Sequence, residues 1–162
     1  MRPYIAGSLL ALILLLAGGC SGEESWSGKC VGVADGDTIE VLRAGNPIRI
    51  RLFGIDCPER HQAFGTRARQ FTSRMVFGKT VLVEPVDRDR YDRIVAWVSV
   101  DGINLNRELL RAGLAWWYRT YARQHRDLAQ LERDAKAAKL GLWVYPHPVP
   151  PWRFRHDNGP DP

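Results

Sequence analysis

The chain is poor in the side chains that bind soft metals or act as imidazole bases: 162 residues contain three cysteines and four histidines. His61, His125, His147 and His156 are too scattered for a zinc motif and read as surface or loop residues. No Gly-x-x-x-x-Gly-Lys-Ser/Thr loop is present, which speaks against nucleoside triphosphates as ligands. No Ser-His-Asp elbow is present either, so acyl transfer has no support. Internal repeats and low-complexity runs are also missing. The one long apolar stretch, Ile5 to Leu16, is too short to act as a stop-transfer helix. Arginine, by contrast, is plentiful, at 19 of the 23 basic residues, and the net charge is +5 with a pI near 9.4. Its forked guanidinium suits phosphate, which makes polyanions plausible partners, although a charge excess of this size is not in itself a nucleic-acid signature.

The apolar stretch follows Arg2 and runs into Ala17-Gly18-Gly19-Cys20, a signal-peptide pattern over residues 1–19. Small residues before a cysteine resemble the lipobox of bacterial lipoproteins, in which Cys20 would be acylated; Ala17 stands where that motif prefers Leu. The alternative is an ordinary secretory signal with a coincidental Cys20. Both imply export: a lipid-anchored envelope protein, in the outer membrane of a diderm cell, or a secreted one. Residues 20–27 read as a polar tether, 28–145 as the folded domain, and 146–162, rich in proline, as an extended tail frayed at its tip. Cys30 and Cys57 would then be the only thiols in an oxidising space, either disulfide-bonded or free and buried.

Residues Lys29 to Ala34, Thr38 to Arg43 and Ile48 to Ile55 alternate or run apolar and β-branched, with turns at Asp35-Gly36-Asp37 and Ala44-Gly45-Asn46-Pro47. Phe64, Ala68, Phe71 and Met75 have helical spacing, and Gly78 follows as a stop. Lys79 to Val86 and Arg93 to Val100 return to strand periodicity; Leu105 to Ala112 and Leu128 to Ala138 read as two more helices. Five short strands interrupted by a helix, without βα alternation, predict an α+β fold: a five-stranded OB-type β-barrel with three packed helices.

Three segments concentrate charge that packing does not need: Asp35-Gly36-Asp37-Thr38, Arg51 through Asp56-Cys57-Pro58-Glu59, and Asp89-Arg90-Tyr91-Asp92-Arg93. Alternation in the third strand points Arg49, Arg51 and Phe53 away from Ile48, Ile50 and Leu52, and an Arg in an apolar strand needs an anionic partner. Taken singly, Asp35-Gly36 is a β-turn signal and Asp56 to Glu59 an extended strand exit shaped by Pro58. An EF-hand is excluded, because Gly36 follows Asp35 directly and Ile39 stands where a third ligand belongs. Hard oxygen ligands of this kind suit Ca²⁺ or Mg²⁺ rather than zinc.

With these three motifs in order, the stretch from about Gly28 to Tyr145 resembles the staphylococcal-nuclease-like, or thermonuclease, family of OB-fold, calcium-dependent phosphodiesterases. The resemblance implies Ca²⁺ held by Asp37, Asp56 and the main-chain carbonyl of Cys57. It implies Glu59 as general base or water-orienting group, and Arg51 and Arg93 as clamps on the scissile phosphate. The implied activity is sugar-nonspecific hydrolysis of DNA and RNA, preferably single-stranded or breathing, to products with 3′-phosphates, by an expected monomer. Arg90, Tyr91, Arg119 and Tyr121 are the expected substrate-binding residues. The chain departs from the family pattern at Cys57, where Thr is common, at Asp92, where Gly is usual, and near Arg119, where a stacking Tyr is found. The competing reading is a catalytically silent OB module that binds nucleic acid or an envelope protein.

Overall fold

The computed structural model describes residues 23–158. The expected leader and Cys20 lie outside that range. Strands β1 (Trp26–Val33), β2 (Thr38–Arg43) and β3 (Asn46–Leu52) form an antiparallel meander. Two short pieces follow, β4 (Ile55–Asp56) and helix α1 (Gly65–Val76), and then β5 (Thr80–Arg88) and β6 (Ile94–Val100). β1 pairs with both β2 and β5, its register slipping between Cys30 and Gly32 as it passes from one to the other. The parallel pairing of β3 with β6, Ile50 opposite Ile94 and Arg51 opposite Val95, closes the five strands into a barrel. The expected α+β barrel is thus the observed fold.

The inward alternation that the sequence shows is what fills the barrel. Ile39, Val41, Ile50, Leu52, Val81, Val83, Ile94, Ala96 and Val98 are all buried. Helices α2 (Leu105–Arg111) and α3 (Arg126–Ala137) add Leu105, Leu109, Leu110 and Leu128 to the same core. Just before α2, β7 (Ile103–Asn104) extends the sheet, and β8 (Trp116–Trp117) pairs with β4 so that Asp56 lies opposite Trp116. Asn106, fully buried, donates to the Phe53 and Ala96 carbonyls and accepts the Val98 N–H. It therefore satisfies backbone groups where the chain leaves β3 and ties that exit to β6.

Two expectations are corrected and one open alternative is decided. The tether is shorter than residues 20–27, because Trp26 and Ser27 already pair with Val83 and Leu82, and the Trp26 ring carries the Arg43 guanidinium 4.4 Å above it. Cys30 and Cys57 are free and buried, and burial pushes both thiols up, Cys57 well above its ordinary value. The proline-rich segment after Tyr145 is no extended tail: it turns into a fourth helix, α4 (Pro151–Asn158). Proline at the first helical position lacks only an N–H that would have had no partner, and the Pro150 carbonyl accepts from Arg153 and Phe154. The ring of Trp152 lies parallel to that of Tyr118, 5.9 Å away, and edge-on to Trp116, which seats α4 on the domain.

Candidate nuclease-type active site

The turn between β1 and β2 lies against the exit from β3. Gly36 is not needed there for an unusual backbone angle; a Cβ on it would come within 2.9 Å of the Cys57 Cβ and Sγ and the Ala68 Cβ. Small residues at three contact points therefore let the Asp35–Asp37 turn close on residues 56–57. The Thr72 hydroxyl, on α1, donates to the Gly36 carbonyl at 2.6 Å and fixes that approach.

The closure gathers the charges. Arg51 projects from β3 with 13% of its side chain exposed, as the alternation requires. Its Nη1 lies 2.5 Å from Asp37 Oδ2 and its Nη2 2.7 Å from Asp56 Oδ1. The second contact is a well-aligned hydrogen bond; the first is a charge contact, which leaves Nη1 without an aligned acceptor. Asp37 Oδ2 also accepts the Cys57 N–H at 2.5 Å. Asp56 is almost fully buried, and burial, followed by the nearby Asp37 charge, pushes its carboxyl up. Burial works against the charge on Arg51, but Asp37 and then Asp56 outweigh it and hold the guanidinium firmly protonated.

Glu59 reaches the same cluster by an unexpected partner. Arg155, on α4, donates from Nη1 to Glu59 Oε1 at 2.5 Å and from Nη2 to Asp56 Oδ2 at 2.8 Å. Asp37, Asp56 and Glu59 thus face Arg51 and Arg155, with Asp35 beside Asp37, so carboxylates outnumber guanidiniums in the cluster. No three His, Cys, Asp or Glu side chains converge as a ready metal cage among the described residues. The donors available to a hard cation are therefore the Asp37 and Asp56 carboxylates and main-chain oxygen, a set that fits Ca²⁺ better than a soft metal.

Arg93 stands apart from this cluster. It precedes β6, which runs parallel beside the Arg51 strand, but its Nε is bound to Asp89 Oδ2 at 2.6 Å. Burial opposes the charge on Asp89, yet hydrogen bonds from the Arg93 side chain and from the main chain of Arg93 and Tyr91 hold its carboxyl below the usual range. Tyr91, 65% exposed, carries the Arg90 guanidinium 4.8 Å and the Arg93 guanidinium 5.6 Å from its ring centre. Asp92 explains why glycine is usual at its place: its φ is +60°, the left-handed region. Its carboxylate turns to Arg88 at 2.8 Å, so its charge is neutralised away from Arg93. Arg119 and Tyr121 are exposed beyond β8, and it is Tyr118, edge-on to Tyr121, that lies nearer the acids. Burial and then the Asp56 charge raise the Tyr118 hydroxyl.

Residues 49–145 match the family model described as staphylococcal nuclease homologue. The chain belongs to that family. The staphylococcal nuclease match takes in Arg51, Asp56, Cys57, Glu59 and Arg93, while Asp37 and Arg155 fall outside it at either end. An Escherichia coli protein named "Protein ParB" is 41% identical, covering 97% of this chain and 94% of its own length. Another from Escherichia coli, named "Uncharacterized endonuclease", is 45% identical over 80% of this chain and 84% of itself. A Shigella flexneri protein named "Micrococcal nuclease" is 37% identical, covering 79% of each chain.

One titration follows from the cluster. Burial, then the Asp37 charge, pushes the Asp35 carboxyl up to about 7 from a reference of 3.8. A group that holds its proton more tightly when folded contributes stability that is complete below its unfolded pKa and is lost as pH rises through the folded one. In chelator, the wild-type protein should lose stability relative to Asp35→Asn between pH 4 and pH 7. Urea unfolding of both proteins across that window checks this, and parallel curves would refute it.

Proposed function

We propose that this family member is an exported, calcium-dependent, sugar-nonspecific endonuclease that hydrolyses DNA and RNA to products with 3′-phosphates. The observation that carries the reading is the buried Arg51 guanidinium set between Asp37 and Asp56, with Glu59 on the same loop. A phosphodiester resists attack because its own oxygens repel a nucleophile, so hydrolysis needs positive charge placed where negative charge gathers. Arg51 Nη1 has no aligned acceptor and lies buried against Asp37, so it donates to a phosphate oxygen once it exchanges Asp37 for phosphate. Arg93, at the head of the neighbouring strand, is the second clamp, once it exchanges Asp89 for phosphate. Glu59, partly exposed at the rim, orients an attacking water and takes its proton as the water oxygen bonds to phosphorus, and the 5′-oxygen leaves as its bond to phosphorus breaks, taking a proton from solvent. Asp37, Asp56 and the Cys57 carbonyl would hold Ca²⁺, which would supply Lewis-acid stabilisation of the negative charge on the phosphoryl oxygens.

Arg90, Tyr91, Arg119 and Tyr121 offer exposed guanidiniums and ring faces for backbone and bases, which favours unpaired strands over sequence readout. The test is digestion of plasmid and RNA with Ca²⁺ and with chelator, followed by end-group analysis. Chelator-insensitive cleavage would overturn the metal requirement. Binding without any cleavage would establish the silent OB module instead.

The proposal of export rests on the apolar stretch ending at Cys20. Acylated wild-type protein should sediment with membranes and Cys20→Ser should not. Wild-type protein recovered wholly soluble and unlipidated would exclude the anchor.

A further inference from the structure

The C-terminal segment grips the catalytic loop at two points of one residue. The Glu59 N–H donates to Gln62 Oε1 at 3.0 Å, and Gln62 Nε2 in turn donates to the Val149 carbonyl at 2.5 Å. Gln62 is 9% exposed, so both ends of its amide are committed. The Glu59 carboxylate accepts from Arg155, whose fork also spans Asp56. Main chain and side chain of Glu59 are thus tied to residues 149–155, which lie beyond residue 145, where the family match ends. The segment has its own anchorage, with Trp152 parallel to Tyr118 and edge-on to Trp116. Within the loop the Gln62 N–H donates to the Glu59 carbonyl and the Gly65 N–H to the Gln62 carbonyl, Arg60 donates to the Ala34 carbonyl, and Gly65 packs so closely on the Glu59 carbonyl that a Cβ would come to 1.8 Å.

We propose that Val149 to Arg155 form a positioning arm, with Arg155 and Gln62 holding Glu59 and its loop in the orientation hydrolysis requires. The arm rests on the reading of Glu59 as the water-orienting group. Arg155 is a positioning residue and not a catalytic one: it acts through Glu59 and Asp56. Glu59 Oε2 accepts nothing from Arg155, and the Gln62 relay touches neither carboxylate.

Three variants test it. Arg155→Ala removes the side-chain grip, and Arg155→Lys keeps the charge but loses the fork across two carboxylates. Gln62→Glu keeps the acceptor for the Glu59 N–H and sets an oxygen against the Val149 carbonyl. Hydrogen exchange of the Glu59 to Gly65 amides, measured without substrate or added metal, should quicken in Arg155→Ala and Gln62→Glu while barrel amides stay protected. With Ca²⁺ and single-stranded DNA, kcat should fall about ten- to a hundredfold in Arg155→Ala with KM little changed, and less in Arg155→Lys. Unchanged loop exchange in both variants overturns the arm. So does an Arg155→Ala protein that binds Ca²⁺ more tightly in calorimetry and turns over as fast or faster, because Arg155 would then be an obstruction at the acids. A wild-type protein that cleaves nothing sinks the nuclease reading alone, since the exchange measurement still decides whether residues 149–155 hold the loop.

Discussion

Arg51→Ala should fail twice, in turnover and in folding. Loss of a preorganised donor to the transition state typically costs about a hundredfold to a thousandfold in rate. The loss in folding follows from the pairing. Arg51 is the common counter-charge of Asp37 and Asp56, both nearly free of solvent, and removing one partner of a buried pair leaves the other charge without compensation. Such losses run to about 3 kcal/mol or more; Asp56 retains Arg155 and Asp37 retains the Cys57 N–H, which places this one near the lower end. Saturating Ca²⁺ should restore part of the stability and none of the rate. Denaturant melts with and without Ca²⁺, alongside single-turnover cleavage, check both halves. A variant with wild-type stability in chelator would mean that the Arg51 contacts contribute nothing to folding.

Glu59→Gln should behave in the opposite way, nearly inactive and fully folded. General-base assistance contributes on the order of a hundred- to ten-thousandfold, and an amide cannot take the proton. Glu59 is about one-third exposed and its bond to Arg155 lies at the rim, so the neutral isostere should alter stability by less than about 1 kcal/mol. The Asp37 and Asp56 carboxylates are untouched, and Ca²⁺ affinity by calorimetry should stay near wild type. Wild-type turnover at saturating Ca²⁺ would remove Glu59 from the mechanism. The two variants together separate a residue that builds the site from one that works in it.

What could be read from the chain alone divides along physical lines. The barrel was legible because strands with one face in a core must alternate, and Ile48 to Leu52 do so even while carrying Arg49 and Arg51. The site acids were legible because Asp35-Gly36-Asp37 and Asp56 to Glu59 hold more charge than a turn or a strand exit requires. Gly36 lies in the turn between β1 and β2 that local chemistry indicates, but only the packed Cys57 and Ala68 show that the glycine is there for clearance. The fourth helix was hidden because four prolines in six residues read as extended chain, whereas Pro151 merely starts a helix. Arg155, Gln62 and Tyr118 carried no signal in sequence. Their roles come from contacts such as Arg155 to Asp56, 99 residues apart, and no periodicity encodes a separation of that size.

The parallel seam between β3 and β6 also governs when the site can exist. It joins Ile50 to Ile94, 44 residues later, across a connection that contains α1 and all of β5. Closing so long a connection costs chain entropy before any seam contact repays it, and seams of this kind are expected late in folding. Arg51 lies on one side of that seam and Arg93 at the head of the other. A chain still emerging from synthesis or export, with only its first three strands formed, would hold Arg51 and the acids with no opposing strand, no Arg93 beside them and no Arg155 above. A competent site would therefore arise only at the end of folding, once the seam has closed and the C-terminal helix has docked.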